Sequence, residues 1–221
     1  MNKRLFILGI ILVLIVGVML SIPFCFYSSK PYHGQLVKEE SKFLSINASF
    51  PKFSNNIINK DISAFIDKNI TDIKEDSFSP DDHRDYKNEL LITYDEPFVS
   101  QKFISLVFYV MIYDGGAHPN TLVVAKSYDP KTGKILRLSD LGIKKQSVKQ
   151  NLKFMVIGKL LKQMELPVKE WIEEGVTLKN LENFSIDNDG LTFHFSPYAV
   201  ACYAAGMHKV FISFKELGLK L

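Results

Sequence analysis

The sequence predicts an α+β fold, a mainly antiparallel sheet packed with two amphipathic helices and preceded by one N-terminal transmembrane or signal helix. Three observations predict it. Apolar residues recur at helical spacing in two separate stretches, short apolar runs bounded by glycine and proline turns lie between and after them, and a long apolar run opens the chain.

That opening run, Leu5 to Ile22, is broken only by Gly9, Gly17 and Ser21 and follows Met1-Asn2-Lys3-Arg4. A helix of this length, at about 1.5 Å per residue, just crosses a ~30 Å hydrocarbon core with help from the apolar flank Pro23 to Tyr27. Lys3 and Arg4 favour the cytoplasmic side. The expectation is therefore a single-pass protein of the cell membrane whose C-terminal domain is extracytoplasmic, in a periplasm or at the cell surface. An uncleaved anchor is favoured over a cleaved signal peptide because Ser21 to Tyr27 holds no small-x-small site. Phe24 and Pro23 argue against lipidation of Cys25. The only other cysteine is Cys202, and the two show no disulfide spacing pattern.

Only Lys3 and Arg4 carry charge in the first 29 residues, which leaves 25 basic against 24 acidic side chains beyond them. No concentrated basic surface results, so nucleic acid is not an expected partner. The chain is long enough to bury a core without disulfides. The expected organisation is an anchor at 1–29, a tether or initial strand at 30–42, a helix-bearing subdomain at 43–100 and a β-rich domain at 101–221.

Ser54 or Asn55 caps a first helix carrying Ile57, Ile58, Ile62, Phe65, Ile66, Ile70 and Ile73 at helical spacing. Glu75 to Tyr86, with Pro80-Asp81-Asp82, reads as a surface loop. Strands follow at Leu90 to Tyr94, Phe103 to Tyr113, Thr121 to Tyr128 and Ile135 to Leu138. The second of these is apolar almost throughout except at Ser105, so it is expected at the centre of the sheet, with Phe108, Val110 and Ile112 on one buried face. Asp129-Pro130-Lys131-Thr132-Gly133 supplies a tight turn. Ser147 to Met164 reads as the second helix, with Leu152, Val156 and Leu160 inside and Lys145, Lys149 and Lys153 as a solvated stripe, ended by Pro167. A polar stretch holding Trp171 leads to strands at Phe184 to Ile186, Leu191 to Phe195 and Val210 to Phe214. This order does not describe a βαβ nucleotide binder.

Two places attract a functional reading. In Gly115-Gly116-Ala117-His118-Pro119-Asn120 the glycines let the backbone approach a ligand and His118 offers a polar contact, although a wide hairpin loop needs the same residues. It is not a phosphate loop, lacking Gly-Lys-Ser/Thr and a following helix. The second place is Tyr198, Tyr203 and the loop closed by Gly206, either an exposed contact surface or, through Tyr198 and Val200, a plug for the core. The five histidines show no zinc spacing, no Gly-x-Ser-x-Gly elbow is present, and Cys202 reads as a buried small hydrophobe. No metal, cofactor or catalytic residue is expected.

The blocks Phe195-Ser196-Pro197-Tyr198 with Ala199 to Gly206, Phe108 to Asn120 with Ser127 to Lys134 and Leu138 to Leu141, and Ser49-Phe50-Pro51-Lys52-Phe53 carry a family resemblance. Together they resemble the extracytoplasmic domain shared by RsiV-type anti-sigma factors, whose copy binds lysozyme, and PdaC-type peptidoglycan deacetylases, where it is non-catalytic. Cys202 stands where relatives often carry proline. Neither the deacetylase domain nor a cytoplasmic sigma-binding segment is expected here, since the chain stops at Leu221 and only Met1 to Arg4 lies inside. The resemblance implies a non-catalytic binding or sensing module of the bacterial envelope, with a lysozyme-like protein or peptidoglycan glycan as partner. A structural or assembly factor, and an unrecognised hydrolase, are the alternatives.

Overall fold

Asn55 stops the chain from remaining extended after Phe53, because its Oδ1 accepts hydrogen bonds from the Ile57 and Ile58 amides at 2.9 and 3.4 Å and so caps helix α1, Asn56–Ser77. The computed structural model describes residues 30–77 and 86–219. Leu5 to Ile22, Cys25 and residues 78–85 of the expected loop lie outside them. Among the described residues no helix is long and apolar enough to cross a membrane.

The first sheet has six strands, β1 Tyr32–Glu40, β2 Leu44–Phe53, β3 Asn88–Tyr94, β4 Phe98–Val99, β5 Ile104–Tyr113 and β6 Asn120–Tyr128. β5 is central, bonded antiparallel to β3, β4 and β6. β1 pairs antiparallel with β2, whereas β2 and β3 are parallel and joined through α1. A single βαβ unit thus sits inside an otherwise antiparallel sheet. The second sheet is an antiparallel meander, β7 Phe184–Ile186, β8 Gly190–Phe195 and β9 His208–Ser213. Helices α2 Gln146–Gln163, α3 Lys169–Gly175 and α4 Phe214–Leu217 accompany it.

Each sheet has its own core. Ile58, Ile62 and Ile66 of α1 pack on Ile46, Ile92, Phe108 and Val110, and the Phe65 and Phe108 rings lie 5.1 Å apart. Leu152, Val156 and Leu160 of α2 pack with Phe193, Val200 and Ile212 on the second sheet. As expected, Phe108 and Val110 are fully buried; Ile112, nearer the strand end, is only partly covered.

Polar groups join the two sheets. Ser105, the exception in the apolar β5 run, is buried; its Oγ accepts from the Ile186 amide at 2.9 Å and lies 2.8 Å from Ser127 Oγ. Ser127 gives its one proton to the Phe184 carbonyl at 3.2 Å, so Ser105 is the donor between the two hydroxyls. The outer edge of β6 is occupied by side chains. Asn183 accepts from the Ala125 amide at 2.7 Å and donates to the Val123 and His194 carbonyls, each at 2.9 Å, while Ser196 Oγ accepts from the Val123 amide at 2.9 Å. An edge that would otherwise offer a pairing template is thereby closed.

Several expectations are revised. The 30–42 segment, expected as a tether or an initial strand, takes the second form, with strand β1 over nine residues. The division at residue 100 does not follow the sheet, since β3 and β5 on either side of it are neighbours. Glu75 continues α1, and Ile57 on that helix is 60% exposed. Trp171 lies on α3, a helix to which the polar stretch holding it had not been assigned. Ile135 to Leu138 forms only an isolated bridge from Ile135 to Tyr128, because Pro130 to Gly133 turn the chain away after one pair.

Candidate functional site

The hydrogen bond from the Val123 amide to Ser196 brings together the two loops that attract a functional reading. It ties the start of β6 to the residue after β8, so the β5–β6 loop and the β8–β9 loop are forced side by side. His118 then stacks on Tyr203, with ring centroids 3.6 Å apart and planes 14° from parallel. Tyr198 completes the cluster, 5.5 Å from Tyr203 and 6.3 Å from His118.

The hydrogen bonds fix the imidazole tautomer. His118 Nδ1 lies 3.1 Å from the Pro119 carbonyl, which can only accept, so Nδ1 carries the proton. In the neutral ring Nε2 is then the acceptor, and the Tyr198 hydroxyl donates to it at 3.4 Å. Tyr203 donates to the same Pro119 carbonyl at 3.0 Å. The polar tips of His118 and Tyr203 are thus spent on loop shape, and what the cluster presents outward is ring surface. Tyr198 is 51% exposed.

The β8–β9 loop is held under strain. Tyr198 has φ of 66°, and among the described residues it is the one non-glycine with positive φ. Its carbonyl accepts from Trp171 Nε1 at 3.1 Å. Val200, two residues on, is fully buried in the second core. The two alternatives for this loop therefore apply to different residues, with Val200 as the plug and Tyr198 as the exposed ring. The loop passes so close to α3 that a Cβ on Gly175 would sit 1.8 Å from the Ala199 carbonyl oxygen. Gly206 ends the short 3-10 turn Tyr203–Ala205 with φ of 73°.

Of the other candidates, Gly115 has φ of 91° and Tyr86 lies against it, 2.2 Å from where a Cβ would stand, so its lack of a side chain serves packing. Gly116 is not in the left-handed region and has room for a Cβ. Asn120 is the exposed first residue of β6. Cys202, expected to be buried, is exposed; Val200 alone carries the burial that the apolar composition of this loop suggested.

Two features escaped the sequence reading. A cavity of about 520 Å³ opens beside the cluster, lined by Met164, Leu166, Trp171, Cys202, Ala204 and His208 among others. His194 and Ser185 form a second polar pair, Nε2 to Oγ 2.8 Å, in which burial and then the charge of Lys209 push the imidazole down to about 4. Trp171, the single tryptophan of the chain, was the available signal for the cavity.

The fold defines the class: an α+β domain of two sheets that matches crystal structures of DUF3298 family proteins. One from Bacteroides fragilis superposes with TM-score 0.60 at 17% identity, covering 85% of this chain and 91% of that one. One from Pseudomonas aeruginosa gives 0.59 at 14%, covering 85% and 93%. In sequence, residues 37–121 match the family described as Deacetylase PdaC, and residues 139–215 match the protein of unknown function family DUF3298. The chain carries a domain shared with PdaC-type proteins. Peptidoglycan-N-acetylmuramic acid deacetylase PdaC of Bacillus subtilis is 23% identical over 177 residues, which cover 78% of this chain and 38% of that protein. These matches fit an envelope-associated module.

Proposed function

We propose that this chain is a non-catalytic binding module of the bacterial envelope, membrane-anchored through Leu5 to Ile22 and facing outward, that recognises peptidoglycan or a lysozyme-like protein. The observation that carries the reading is the convergence of His118, Tyr198 and Tyr203 from two loops into one aromatic surface. An exposed Tyr198 ring backed by the half-buried, pre-oriented rings of His118 and Tyr203 suits a sugar face or a protein partner, because it offers contact area at little cost in rotamer entropy. The commitment of the His118 and Tyr203 polar atoms to the Pro119 carbonyl favours recognition over proton transfer. Similarity to a peptidoglycan deacetylase supports the wall as the setting.

The test is binding of the full chain, side by side, to isolated peptidoglycan and to lysozyme, repeated with Tyr198→Ala and His118→Ala. Retention of at least one ligand is expected, weakened by about 1–3 kcal/mol in each variant, with melting temperature little changed. Retention of neither ligand refutes the proposal, as does unaltered affinity in both variants.

A further inference from the structure

β1, β4 and β6 are the strands of the first sheet that pair on one side only. β4 is two residues long, and the outer edge of β6 is closed by Asn183 and Ser196. β1 differs from both. It runs for nine residues in an unbroken register with β2, and among the described residues no strand lies on its other side. It carries neither proline nor bulge, two of the devices that usually blunt an edge. Eight of its nine residues are exposed, with the apolar Leu36 and Val37 at its middle 56% and 37% exposed.

The register fixes which backbone groups face outward. The Ser41 amide donates to the Leu44 carbonyl at 2.8 Å, so that pair is of the hydrogen-bonded kind, and bonded and non-bonded pairs alternate from there along an antiparallel ladder. Glu39, Val37, Gln35 and His33 therefore spend their amides and carbonyls on β2. Gly34, Leu36, Lys38 and Glu40 turn theirs away from the sheet. Pro51, which has no amide to give, stands opposite Gly34 in a non-bonded pair, as this phase requires. The Gly34 carbonyl accordingly lies where the Gln35 side chain donates to it at 3.2 Å.

This edge is complementary to itself. Leu36 is the central residue of β1, so a second copy laid antiparallel about a two-fold axis at Leu36 gives the symmetric register that pairs the whole strand. Leu36 then meets the partner's Leu36, Gly34 meets the partner's Lys38, His33 meets the partner's Glu39 and Tyr32 meets the partner's Glu40. No like charges are opposed, and an imidazole faces a carboxylate. The Glu39 side chain is 45% exposed even with Lys74 bonded to it at 2.6 Å, which leaves room for a second donor. Moving the axis to Lys38 would oppose two lysines, and moving it to Glu40 two carboxylates, so charge selects the centred register.

We propose that two copies of this chain associate antiparallel along β1, each Leu36 amide donating to the partner's Leu36 carbonyl, so that one sheet continues across the two-fold axis. An unrelated extended peptide has no reason to match this order of charges, whereas a second copy supplies it by symmetry. The inference is independent of the wall-binding reading. The aromatic cluster sits beside the start of β6, at the opposite edge of the sheet from β1, so the dimer leaves both clusters uncovered and presents them as a bivalent surface.

A single strand pair is a small interface, so a dissociation constant of about 10 µM is expected. Sedimentation equilibrium of the full chain in detergent, from roughly 1 to 300 µM, should show a reversible monomer–dimer equilibrium. Leu36→Pro removes only an outward amide, so it should weaken the dimer at least about tenfold while melting within a few degrees of wild type. If that variant unfolds, Leu36→Lys carries the same expectation, because it sets two like charges at the axis. Crosslinking reads the register in a Cys25→Ser and Cys202→Ser background. His33→Cys and Glu39→Cys proteins mixed under mild oxidation should form a disulfide-linked pair of one of each, and either protein alone should form none, since only the unlike positions stand opposite. A monomer throughout the concentration range overturns the proposal. So does association that Leu36→Pro and Leu36→Lys leave unchanged, absence of the mixed disulfide, or crosslinking of the unmixed proteins equal to that of the mixture.

Discussion

Acid is expected to destabilise this domain through His194. Its imidazole is buried on β8 and bonded to Ser185, and it is held down to about 4 first by burial and then by Lys209, against a weaker opposing pull from Asp95. An unfolded histidine titrates near 6.5. As pH falls below about 6.5 the unfolded chain therefore takes up a proton that the folded chain refuses until about 4. The contribution is fully present above the unfolded value, is lost across the window from about 6.5 to 4, and is constant below it. A gap of about 2.5 pH units at ~1.4 kcal/mol each amounts to about 3 kcal/mol, a sizeable part of a typical ~5–15 kcal/mol stability. The assay is urea unfolding of wild type and His194→Gln at several pH values between 7 and 4. Glutamine keeps a polar group within reach of Ser185 but cannot titrate. Carboxylates such as Glu216, drawn down to about 2 chiefly by Lys159, change both proteins alike and cancel in the difference. Relative to the variant, wild type should lose about 3 kcal/mol between pH 7 and 4. Parallel pH profiles for the two proteins would refute the argument.

Two further substitutions probe the scaffold. Gly115→Val should lower the melting temperature sharply, since it forces a β-branched residue to φ of 91° and a Cβ into the Tyr86 ring, whereas Gly116→Val, whose Cβ would meet only ordinary contacts at 3.7 Å, should melt within a few degrees of wild type; equal effects would mean the loop is built differently. Asn183→Ala removes two hydrogen bonds to β6 and one to the His194 carbonyl of β8 and leaves backbone groups unmet, at a cost of about 2–4 kcal/mol in chemical denaturation; a loss under about 0.5 kcal/mol would mean water or neighbouring groups replace it.

The parts of the fold written in periodicity were legible in the sequence. Helices α1 and α2, strands β3 and β5 to β9 and the Asp129 to Gly133 turn all stand within a few residues of their expected places. β1 was not legible as more than an alternative, because eight of its nine residues are exposed and neither face alternates. β2 does alternate at Leu44, Ile46 and Ala48, but Pro51 near its end weakens the strand signal, and no strand was expected there. Both halves of the aromatic cluster were marked by composition, Gly115 to Asn120 and Tyr198 to Gly206. Their meeting was not, since it depends on one hydroxyl, Ser196, bonding one amide 73 residues away. Burial of the second loop was misread at Cys202 for a related reason: apolar composition does not say which single residue turns inward.

The closure of β6 by side chains also sets a clock on synthesis. The first sheet is complete in sequence at Tyr128, but the groups that cover its last edge, Asn183 and Ser196, come far later. A ribosome adding ~5–20 residues per second leaves that edge open for roughly 3 to 15 seconds. During that interval a nascent chain exposes a full strand edge to other nascent chains on the same message. Chains truncated between residues 135 and 180 are accordingly expected to aggregate in a sedimentation assay. Aggregation should recede once Asn183 and Ser196 have been translated, which makes the C-terminal sheet a chaperone in cis for the N-terminal one.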